Sequence, residues 1–332
     1  MGCRQMYVMY YDCGTTNTRG YLLKNNHVVQ QAAEQIGAKN SALEKDNHRL
    51  LRELFVIYES LLKKEGISDS NVQEIYLSGM ISSPSGIVEV EHLSTPVSRD
   101  RLKNSIVEYY DQKLFQRPLK IIPGIKTVRS GIKVPICETS SINMMRGEET
   151  EVFGILHENS ELNNGTCILI LPGSHTQAVL LNDGIITNIS SNITGELFQA
   201  ITKETILGSS VSGDGSWEIS ADMVCLGAKN THLYGFNRAL YILRVQDLFT
   251  GASLNERRSY LEGVLNVGVM DAVQKMVGND GEKIRLIVAG HKIQENIYTA
   301  LCQNLYPHFE ICNIKNQNDM PYSVNGVLAM LK

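Results

Sequence analysis

The octapeptide DCGTTNTR, residues 12–19, combines a carboxylate, a glycine, three hydroxyls, an amide and a guanidinium within one predicted turn. This set suits the phosphates of a nucleotide, because a tight turn exposes backbone N–H groups and the side chains add further donors. Asp12 could order Mg²⁺, since carboxylate oxygens are preferred ligands of that ion, and Arg19 could offset charge on a transferred group. The candidate phosphate contacts are Gly14, Thr15, Thr16 and Asn17. An ordinary polar hairpin is the alternative interpretation.

A second glycine turn, PGSHT at residues 172–176, follows a similar β-rich run. Gly173 lies 159 residues after Gly14, and the same offset matches Asn17 with Thr176. The second set of candidate phosphate contacts is Gly173, Ser174, His175 and Thr176. Two such hairpins facing each other across a cleft could hold a triphosphate from both sides. The chain has neither a Walker-type G-x-x-x-x-G-K-[ST] motif nor a Rossmann G-x-G-x-x-G motif.

The third cluster is RGEET at residues 146–150, just before an apolar helical segment. A carboxylate here could take a proton from a substrate hydroxyl, with Arg146 near an anionic substrate or phosphate. Glu148 and Glu149 are both candidates for this base. The alternative is a structural role, because acidic side chains at a helix N-terminus are stabilised by the helix dipole.

The elements that would position these clusters form a repeated pattern. Two antiparallel meanders are predicted from β-rich runs at Met6–Asp12, Arg19–Leu23, His27–Gln30, Cys167–Leu171, Ala178–Leu181 and Ile185–Ile189. An amphipathic helix is predicted over Asp46–Glu65. Helices and strands alternate later in the chain, which favours α/β domains with mixed sheets.

The composition is that of a globular protein. A length of 332 residues suggests about two domains at roughly 100–200 residues each, and 43% hydrophobic residues can supply their cores. The formal net charge of −4 gives no support for nucleic-acid binding. We find no apolar run long enough to span a bilayer, no secretory signal and no metal-type spacing among the seven cysteines, which favours reduced thiols in the cytoplasm.

Six motifs occur in a fixed order along nearly the whole chain. They are D-x-G-T-T-N-x-R, S-G-M, I-P-G, M-R-G-E-E-T, L-P-G-S-H-T and T-G-E, at residues 12–19, 78–80, 122–124, 145–150, 171–176 and 194–196. This series resembles the 2-dehydro-3-deoxygalactonokinase family of the sugar kinase/heat-shock-protein-70/actin superfamily. The first motif is shared by the whole superfamily, whereas the pair R-G-E-E-T and P-G-S-H-T is much more specific.

The resemblance implies an α/β fold of two ribonuclease-H-like, actin-like ATPase domains with mixed βββαβα sheets and an interdomain cleft. The expected domains are residues 1–145, with the first phosphate loop and the sugar-acid side, and residues 146–332, with the second phosphate loop and the adenosine side. It also implies transfer of the ATP γ-phosphate to the 6-hydroxyl of 2-dehydro-3-deoxy-D-galactonate, in D-galactonate catabolism in the cytoplasm, with Mg²⁺.

The resemblance also assigns roles to matching positions. Asp12 would order Mg²⁺, the two loops would hold the phosphates, and Gly290 would lie beside the adenosine. Related sugar kinases carry their catalytic base in a G-D-Q segment ahead of the second phosphate hairpin. The matching segment here is Gly-Glu-Glu at residues 147–149, which favours Glu148 as the base, with Glu149 as the second candidate.

Substrate recognition is less well defined. The carboxylate of the sugar acid lies far from the phosphorylated hydroxyl and needs a cation, for which Arg146 is a candidate. Ser82, Ser83 and Ser85 could hold substrate hydroxyls, with a solvated loop as the alternative. The segment SSPSGI at residues 82–87 departs from the usual G-S-N-x-G-W, which leaves the exact sugar open.

Two other functions stay open. One is a kinase for another sugar or sugar acid of the same superfamily, and the other is a non-catalytic actin-like scaffold that only binds nucleotide. Asp12, Arg19 and Glu148 argue against a scaffold, because such a protein has no need of a hydroxyl base. The expected partners are ATP and a small sugar acid, without nucleic acid or membrane, and a homodimer is left open.

Overall fold

The computed structural model describes residues 6–37, 47–213, 217–278, 283–314, 316 and 319–331. Contacts within the chain divide it into unit 1, residues 1–163 together with 315–332, and unit 2, residues 164–314. The predicted boundary after residue 145 is therefore wrong. The chain leaves unit 1 eighteen residues later than predicted and returns to it at the end.

Strands and helices alternate along the chain, largely where the sequence predicts them. The strands are β1 (Tyr7–Cys13), β2 (Thr18–Lys24), β3 (His27–Glu34), β4 (Val72–Gly79), β5 (Leu93–Ser94), β6 (Val107–Asp111), β7 (Arg117–Ile121), β8 (Ile125–Lys126), β9 (Met144–Met145), β10 (Thr166–Leu171), β11 (Thr176–Asn182), β12 (Ile185–Asn192), β13 (Ile284–Val288) and β14 (Phe309–Ile311). The α-helices are α1 (Asn47–Glu65), α2 (Arg99–Lys103), α3 (Glu148–Glu158), α4 (Gly195–Glu204), α5 (Gly208–Val211), α6 (Ala221–Tyr234), α7 (Phe236–Phe249), α8 (Leu254–Val277), α9 (Lys292–Leu305) and α10 (Tyr322–Leu331). The helix predicted over Asp46–Glu65 is confirmed from Asn47 onward, and Asp46 lies outside the described residues.

The close packing of α3 against α10 explains why the boundary was misplaced. A Cβ atom added to Gly154 would lie 1.9 Å from the backbone oxygen of Tyr322, and one added to Gly326 would lie 1.8 Å from the backbone oxygen of Thr150. The two helix backbones approach this closely only because both positions lack a side chain. Helix α3 therefore belongs to unit 1, together with the last helix of the chain.

Unit 1 is built on a six-stranded sheet in the order β3-β2-β1-β4-β7-β6. The first three strands form the predicted antiparallel meander, and β4 runs parallel to β1. Helix α1 packs on the sheet, where Leu54, Leu61 and Ile75 are fully buried. Because β1 and β4 are parallel neighbours, their carboxyl ends lie side by side, with Asp12 next to Ser78 and Cys13 next to Gly79.

Unit 2 repeats this plan with a five-stranded sheet in the order β12-β11-β10-β13-β14. Strand β13 is parallel to both β10 and β14. Helices α6, α8 and α9 pack around buried residues such as Met270, Leu286 and Leu301. Both units therefore have the predicted ribonuclease-H-like core of a three-stranded meander followed by alternating helices and strands, which is the actin-like fold.

The two meanders are equivalent but slip by one residue at their turns. Their first strands begin at residues 7 and 166, their second at 18 and 176, and their third at 27 and 185. The offset is therefore 159 for the first strand and 158 for the next two. Thr176 consequently corresponds to Thr18 and not to Asn17, as the uniform offset had predicted.

Within the described residues, the helices are too short or too polar to cross a membrane. The predicted cytoplasmic location stays a prediction.

Candidate active site

The first phosphate loop, called loop 1 (residues 14–17), leaves the carboxyl end of β1. Its turn is closed by the backbone N–H of Gly14, which donates to the backbone oxygen of Asn17 at 2.8 Å. The side chains of Thr15, Thr16 and Asn17 are exposed. Loop 1 therefore has the open, polar geometry that a phosphate site requires.

Asp12 and Arg19 flank loop 1 and face each other across the β1–β2 ladder. Their closest approach is 3.6 Å, from Arg19 Nη1 to Asp12 Oδ2, with 58% and 24% of the respective side chains exposed. Burial raises the pKa of Asp12, whereas Arg19 lowers it. At this distance the guanidinium does not occupy the lone pairs of the carboxylate, which stay available to a cation.

Two glycines position the start of α3 beside the ends of β1 and β4. Gly79 has a φ of +82°, and a Cβ atom there would lie 2.4 Å from the backbone oxygen of Cys13. Gly147 has a φ of +113°, and its Cβ atom would lie 3.2 Å from the Cα atom of Gly79. Both backbone conformations favour glycine, and both contacts require it. The S-G-M and R-G-E-E-T motifs are therefore adjacent in space.

The two glutamates that begin α3 have different surroundings. Glu149 is fully buried, and its two carboxylate oxygens accept from the backbone N–H of Gly147 at 2.9 and 2.8 Å. Burial, and then the neighbouring Glu148 carboxylate, raise the pKa of Glu149 well above its ordinary value. Glu148 is only half-buried, and its Oε2 accepts from the backbone N–H of Arg146 at 3.0 Å. Glu148 is thus the more accessible of the two candidate bases, and Glu149 holds the helix start from inside.

Sequence reasoning missed a third acid, Glu151. Burial, then the carboxylates of Asp12 and Glu148, raise the pKa of Glu151 to about 8, while Arg19 lowers it. The spacing of three residues from Glu148 was the available signal, since side chains at i and i+3 share a helix face. This corner of unit 1 therefore brings several carboxyl groups together beside loop 1.

The guanidinium of Arg146 holds the loop that follows β4. Its Nη1 donates to both the backbone oxygen and the hydroxyl of Ser82. Its Nη2 lies 3.1 Å from Nδ1 of His92 and 3.5 Å from the backbone oxygen of Val90. With these partners the guanidinium positions residues 82–92, and its contact with the substrate carboxylate stays a prediction.

Ser82 and Ser83, the predicted substrate contacts, are both buried. Ser82 is 0% exposed and its hydroxyl donates to the backbone oxygen of Gly79 at 3.1 Å. Ser83 is 5% exposed and its hydroxyl donates to the backbone oxygen of Met80 at 2.7 Å. Both hydroxyls therefore satisfy local backbone acceptors. Ser85 is half-buried, and its contact with the substrate stays a prediction.

The second phosphate loop, called loop 2 (residues 173–175), has its tip exposed as predicted. The backbone oxygen of Ser174 accepts from the N–H of Glu196 at 2.9 Å, and His175 Nε2 lies 3.2 Å from Oε2 of the same glutamate. A Cβ atom on Gly195 would lie 2.3 Å from the backbone oxygen of Gly173. The T-G-E motif therefore forms the support on which loop 2 rests.

Thr176 is buried at the start of β11 and does not belong to the exposed loop, so its phosphate contact stays a prediction. Its side chain is 1% exposed, and its hydroxyl lies 2.7 Å from that of Thr194. Its counterpart Thr18 is equally buried and donates to the backbone oxygen of Ile36 at 2.7 Å. Both threonines tie the second strand of a meander to the segment after the third.

A pocket of about 270 Å³ opens beside loop 2 within unit 2. One wall contains the stacked rings of Phe198 and Trp217, whose centroids are 6.0 Å apart. The remaining lining residues are Pro172, Gly173, Thr176, Thr194, Gly195, Glu262, Asn266, His291, Ile293, Gln294, Ile297 and Tyr298. They come from loop 2, the start of β11 and the helices α4, α8 and α9 with the residues that precede them, so the L-P-G-S-H-T and T-G-E motifs mark only part of this pocket in the sequence.

Gly290, predicted to lie near the adenosine, adjoins this pocket. A Cβ atom there would lie 3.1 Å from Cγ of Pro172 and 2.4 Å from Oε1 of Gln294, and both of those residues line the pocket. The role of Gly290 stays a prediction.

Two α/β units of this topology, each with a glycine hairpin after its first strand, define an actin-like nucleotide-binding fold. The family model of 2-keto-3-deoxy-galactonokinase matches residues 12–311, and the chain belongs to this family.

Two individual proteins are similar to this chain. The probable 2-dehydro-3-deoxygalactonokinase DgoK1 of Rhizobium meliloti strain 1021 is 26% identical over 195 residues, which span 58% of this chain and 58% of the relative. The match thus covers less than two thirds of the curated relative. A crystal structure of a candidate 2-dehydro-3-deoxygalactonokinase from Sinorhizobium meliloti superimposes with a TM-score of 0.73 at 21% identity, over 97% of this chain and 95% of that chain. This likeness shows a common fold.

Proposed function

We propose that the protein is an ATP-dependent kinase that phosphorylates the 6-hydroxyl of 2-dehydro-3-deoxy-D-galactonate. Membership of the family over residues 12–311 supports the substrate class. The observation that carries the proposal is the corner of unit 1 where loop 1, Asp12, Arg19 and the accessible Glu148 occur together. Phosphoryl transfer needs positioning, neutralisation of charge and a group that orients the attacking hydroxyl, and this corner offers all three.

Glu148 would accept the proton of the substrate hydroxyl. Its carboxylate is half-buried and stands at the N-terminus of α3, whereas Glu149 is fully buried. A base of this kind typically contributes about 10²–10⁴-fold to the rate. Arg19, with its exposed guanidinium, would offset charge on the transferred phosphoryl group.

Unit 2 would bind the nucleoside of ATP in the pocket beside loop 2. The Phe198–Trp217 wall suits the flat apolar faces of a base, and the exposed loop 2 next to it could donate hydrogen bonds to phosphate oxygens. The volume is slightly below the roughly 300–1,000 Å³ of pockets for whole drug-sized ligands, which suits one nucleoside.

Mg²⁺ is implied by phosphoryl transfer, and the residues present fit it. Asp12 offers a partly exposed carboxylate, and Glu151 is a second acid nearby. Among the described residues, no group of three or more His, Cys, Asp or Glu side chains is arranged to hold a metal without help. Mg²⁺ commonly takes only one or two carboxylates and completes its shell with phosphate and water oxygens, so this donor set is sufficient. When bound, the ion would neutralise charge on the phosphates.

The experiment that tests the proposed function measures ADP release with a panel of acceptors in the presence of ATP and Mg²⁺. The panel contains 2-dehydro-3-deoxy-D-galactonate, its epimer 2-dehydro-3-deoxy-D-gluconate and neutral galactose, and NMR identifies the phosphorylated carbon. We expect the highest kcat/KM with the galactonate derivative and phosphate on carbon 6. A higher kcat/KM with another acceptor would make that compound the substrate. A rate of ADP release that is the same with and without each acceptor would contradict the proposal that the protein is a kinase.

A further inference from the structure

Helix α7 of unit 2 presents large apolar side chains on the face that points away from its core. Ala239 and Leu243 are fully buried and pack in the helical core of the unit. Tyr241 and Leu248 lie on the opposite side of the helix, because successive residues are rotated by about 100°. Both are more than half exposed. A surface helix normally has polar residues opposite its buried stripe, so this outward face is unusual.

The exposed apolar residues of α7 and of the turn before it form one surface, called the α7 patch. Its members are 37% to 78% exposed and are Leu233, Tyr234, Phe236, Tyr241, Leu248 and Phe249. At roughly 200 Å² for a fully exposed large side chain, the patch presents about 700 Å². The largest apolar patch on an ordinary monomer is roughly 300–600 Å². A surface above this range indicates an interface with another protein.

The area of the α7 patch matches what a second copy of this chain would need. A stable protein–protein interface buries about 800 Å² on each partner. The half-buried Ile242 and Val245 lie beside the patch on α7 and would add to its area. Tyr and Phe are also the residues that are enriched at the centres of interfaces. The composition and the size of the patch therefore both fit a dimer.

We propose that two copies of the chain associate through their α7 patches about a two-fold axis that passes at Tyr241. Leu233 and Phe249 are each eight residues from Tyr241, and Tyr234 and Leu248 are each seven residues from it. In an antiparallel pair of α7 helices, the apolar residues at the start of each helix would therefore cover those at the end of the other. A two-fold interface requires this self-complementary order.

The charged groups of α7 are compatible with this pairing. Arg238 and Arg244 are each three residues from Tyr241, so they would face each other across the interface. The guanidinium of Arg238 lies 5.9 Å from the centroid of the Tyr241 ring. Arg244 Nη1 donates to Oδ2 of Asp247 at 3.0 Å within its own copy. The second guanidinium thus meets an ion pair, which reduces the repulsion between like charges.

The α7 patch is separate from the candidate active site. None of its six residues belongs to loop 1, to loop 2, to the acidic start of α3 or to the lining of the unit 2 pocket. The dimer is therefore independent of the proposed function, and substitutions in the patch can be tested without removing a group from the proposed chemistry.

Sedimentation velocity of the full-length protein tests the proposal. One chain has a mass of 37.0 kDa, and the wild type should sediment with twice this mass. Tyr241→Glu and Leu248→Glu should each raise the dissociation constant of the dimer by at least about 30-fold, because a charge enters the desolvated centre of the interface. Val56→Glu is the matched control, since Val56 is similarly exposed on helix α1 of unit 1, and it should leave the dimer intact.

A charge-swap experiment tests the position of the axis. A residue on a two-fold axis contacts its own counterpart, so Tyr241→Glu brings two carboxylates together and Tyr241→Lys brings two ammonium groups together. Each variant alone should be monomeric. An equimolar mixture should recover the dimer, because opposite charges then meet across the axis. Far-UV circular dichroism would verify that both variants keep the helical content of the wild type.

Three results would overturn the proposal. The first is a wild type that stays monomeric at about 100 µM, where an interface of this size with a micromolar or lower Kd would be occupied. The second is a dimer that persists in both Tyr241→Glu and Leu248→Glu, which would assign the contact to another surface. The third is a mixture of Tyr241→Glu and Tyr241→Lys that stays monomeric, which would contradict an axis at Tyr241.

Discussion

Loop 1 and loop 2 occupy equivalent positions in the two units and rest on equivalent glycines. A Cβ atom on Gly37 would lie 2.4 Å from the backbone oxygen of Thr15, and one on Gly195 would lie 2.3 Å from that of Gly173. The two glycines are 158 residues apart, the same offset as the second and third strands of the meanders. The same close contact between a glycine and the loop backbone therefore occurs in both halves of the repeat.

The side chains around the loops have diverged. Loop 1 is preceded by Asp12, but the equivalent position before loop 2 is the buried Leu171. Unit 1 places the acidic start of α3 beside its loop, whereas unit 2 has a pocket with an aromatic wall. One backbone plan therefore carries two different sets of side chains, and under the proposed function unit 1 would carry out the chemistry and unit 2 would bind the nucleoside.

The largest expected effect comes from removing the proposed base. Glu148→Gln should lower kcat by about a hundredfold or more, because the amide cannot accept the hydroxyl proton, while the Kd for ATP stays nearly unchanged. Steady-state kinetics and calorimetry would measure the two quantities on the same preparation.

Glu149→Gln is the matched control for this substitution. We expect it to keep most of kcat and to change the unfolding temperature, since Glu149 is a buried partner of the Gly147 backbone. Normal turnover of Glu148→Gln together with an inactive Glu149→Gln would reverse the assignment.

The shared glycines give the next largest effect. Gly37→Ala and Gly195→Ala should each lower the free energy of unfolding by about 1–3 kcal/mol, because the added methyl group collides with loop backbone that cannot rotate away. Urea unfolding would measure both. Gly268→Ala in α8, where an added Cβ atom meets nothing within 4 Å, is the control and should stabilise the protein by about 1 kcal/mol. An equal change in the free energy of unfolding for all three variants would contradict the structural equivalence of the two loops.

A smaller effect tests the concentration of acids beside loop 1. The pKa of Glu151 is about 8 in the folded protein and near 4.5 when unfolded, so between these values the folded state binds more protons and its stability falls as pH rises. In Glu151→Gln this carboxyl group is absent, so its contribution to the fall in stability with rising pH is absent too. Without nucleotide or Mg²⁺, its free energy of unfolding should match the wild type near pH 5 and exceed it by on the order of 1 kcal/mol at pH 8. An identical pH dependence of the two proteins would mean that Glu151 is not coupled to this corner.

The meanders and loops were predictable from the sequence because their signals are local. Alternating β-rich runs and turn residues mark each meander, and loop 1 needs only its own residues to form. The boundary between the units was not predictable, because the contacts of Gly154 and Gly326 join segments that are far apart in sequence. The equivalence of Thr176 with Asn17 was wrong because a slip of one residue inside a short turn leaves no trace in composition.

The candidate site was predictable only where a motif is continuous. Asp12, Arg19 and Glu148 belong to such motifs, and the structure gives them accessible positions. Ser82 and Ser83 show the limit, since tertiary contacts decide whether a serine in a polar loop faces a ligand or its own backbone. Trp217 and Glu262 carry no motif at all, because their pocket is assembled from separate helices.

A crystal structure with Mg²⁺ and a non-hydrolysable ATP analogue tests the division of tasks most directly. We expect the base against the Phe198–Trp217 wall and the terminal phosphate nearest Asp12 and Arg19. A nucleoside bound outside the unit 2 pocket, or a terminal phosphate remote from Asp12, would contradict it.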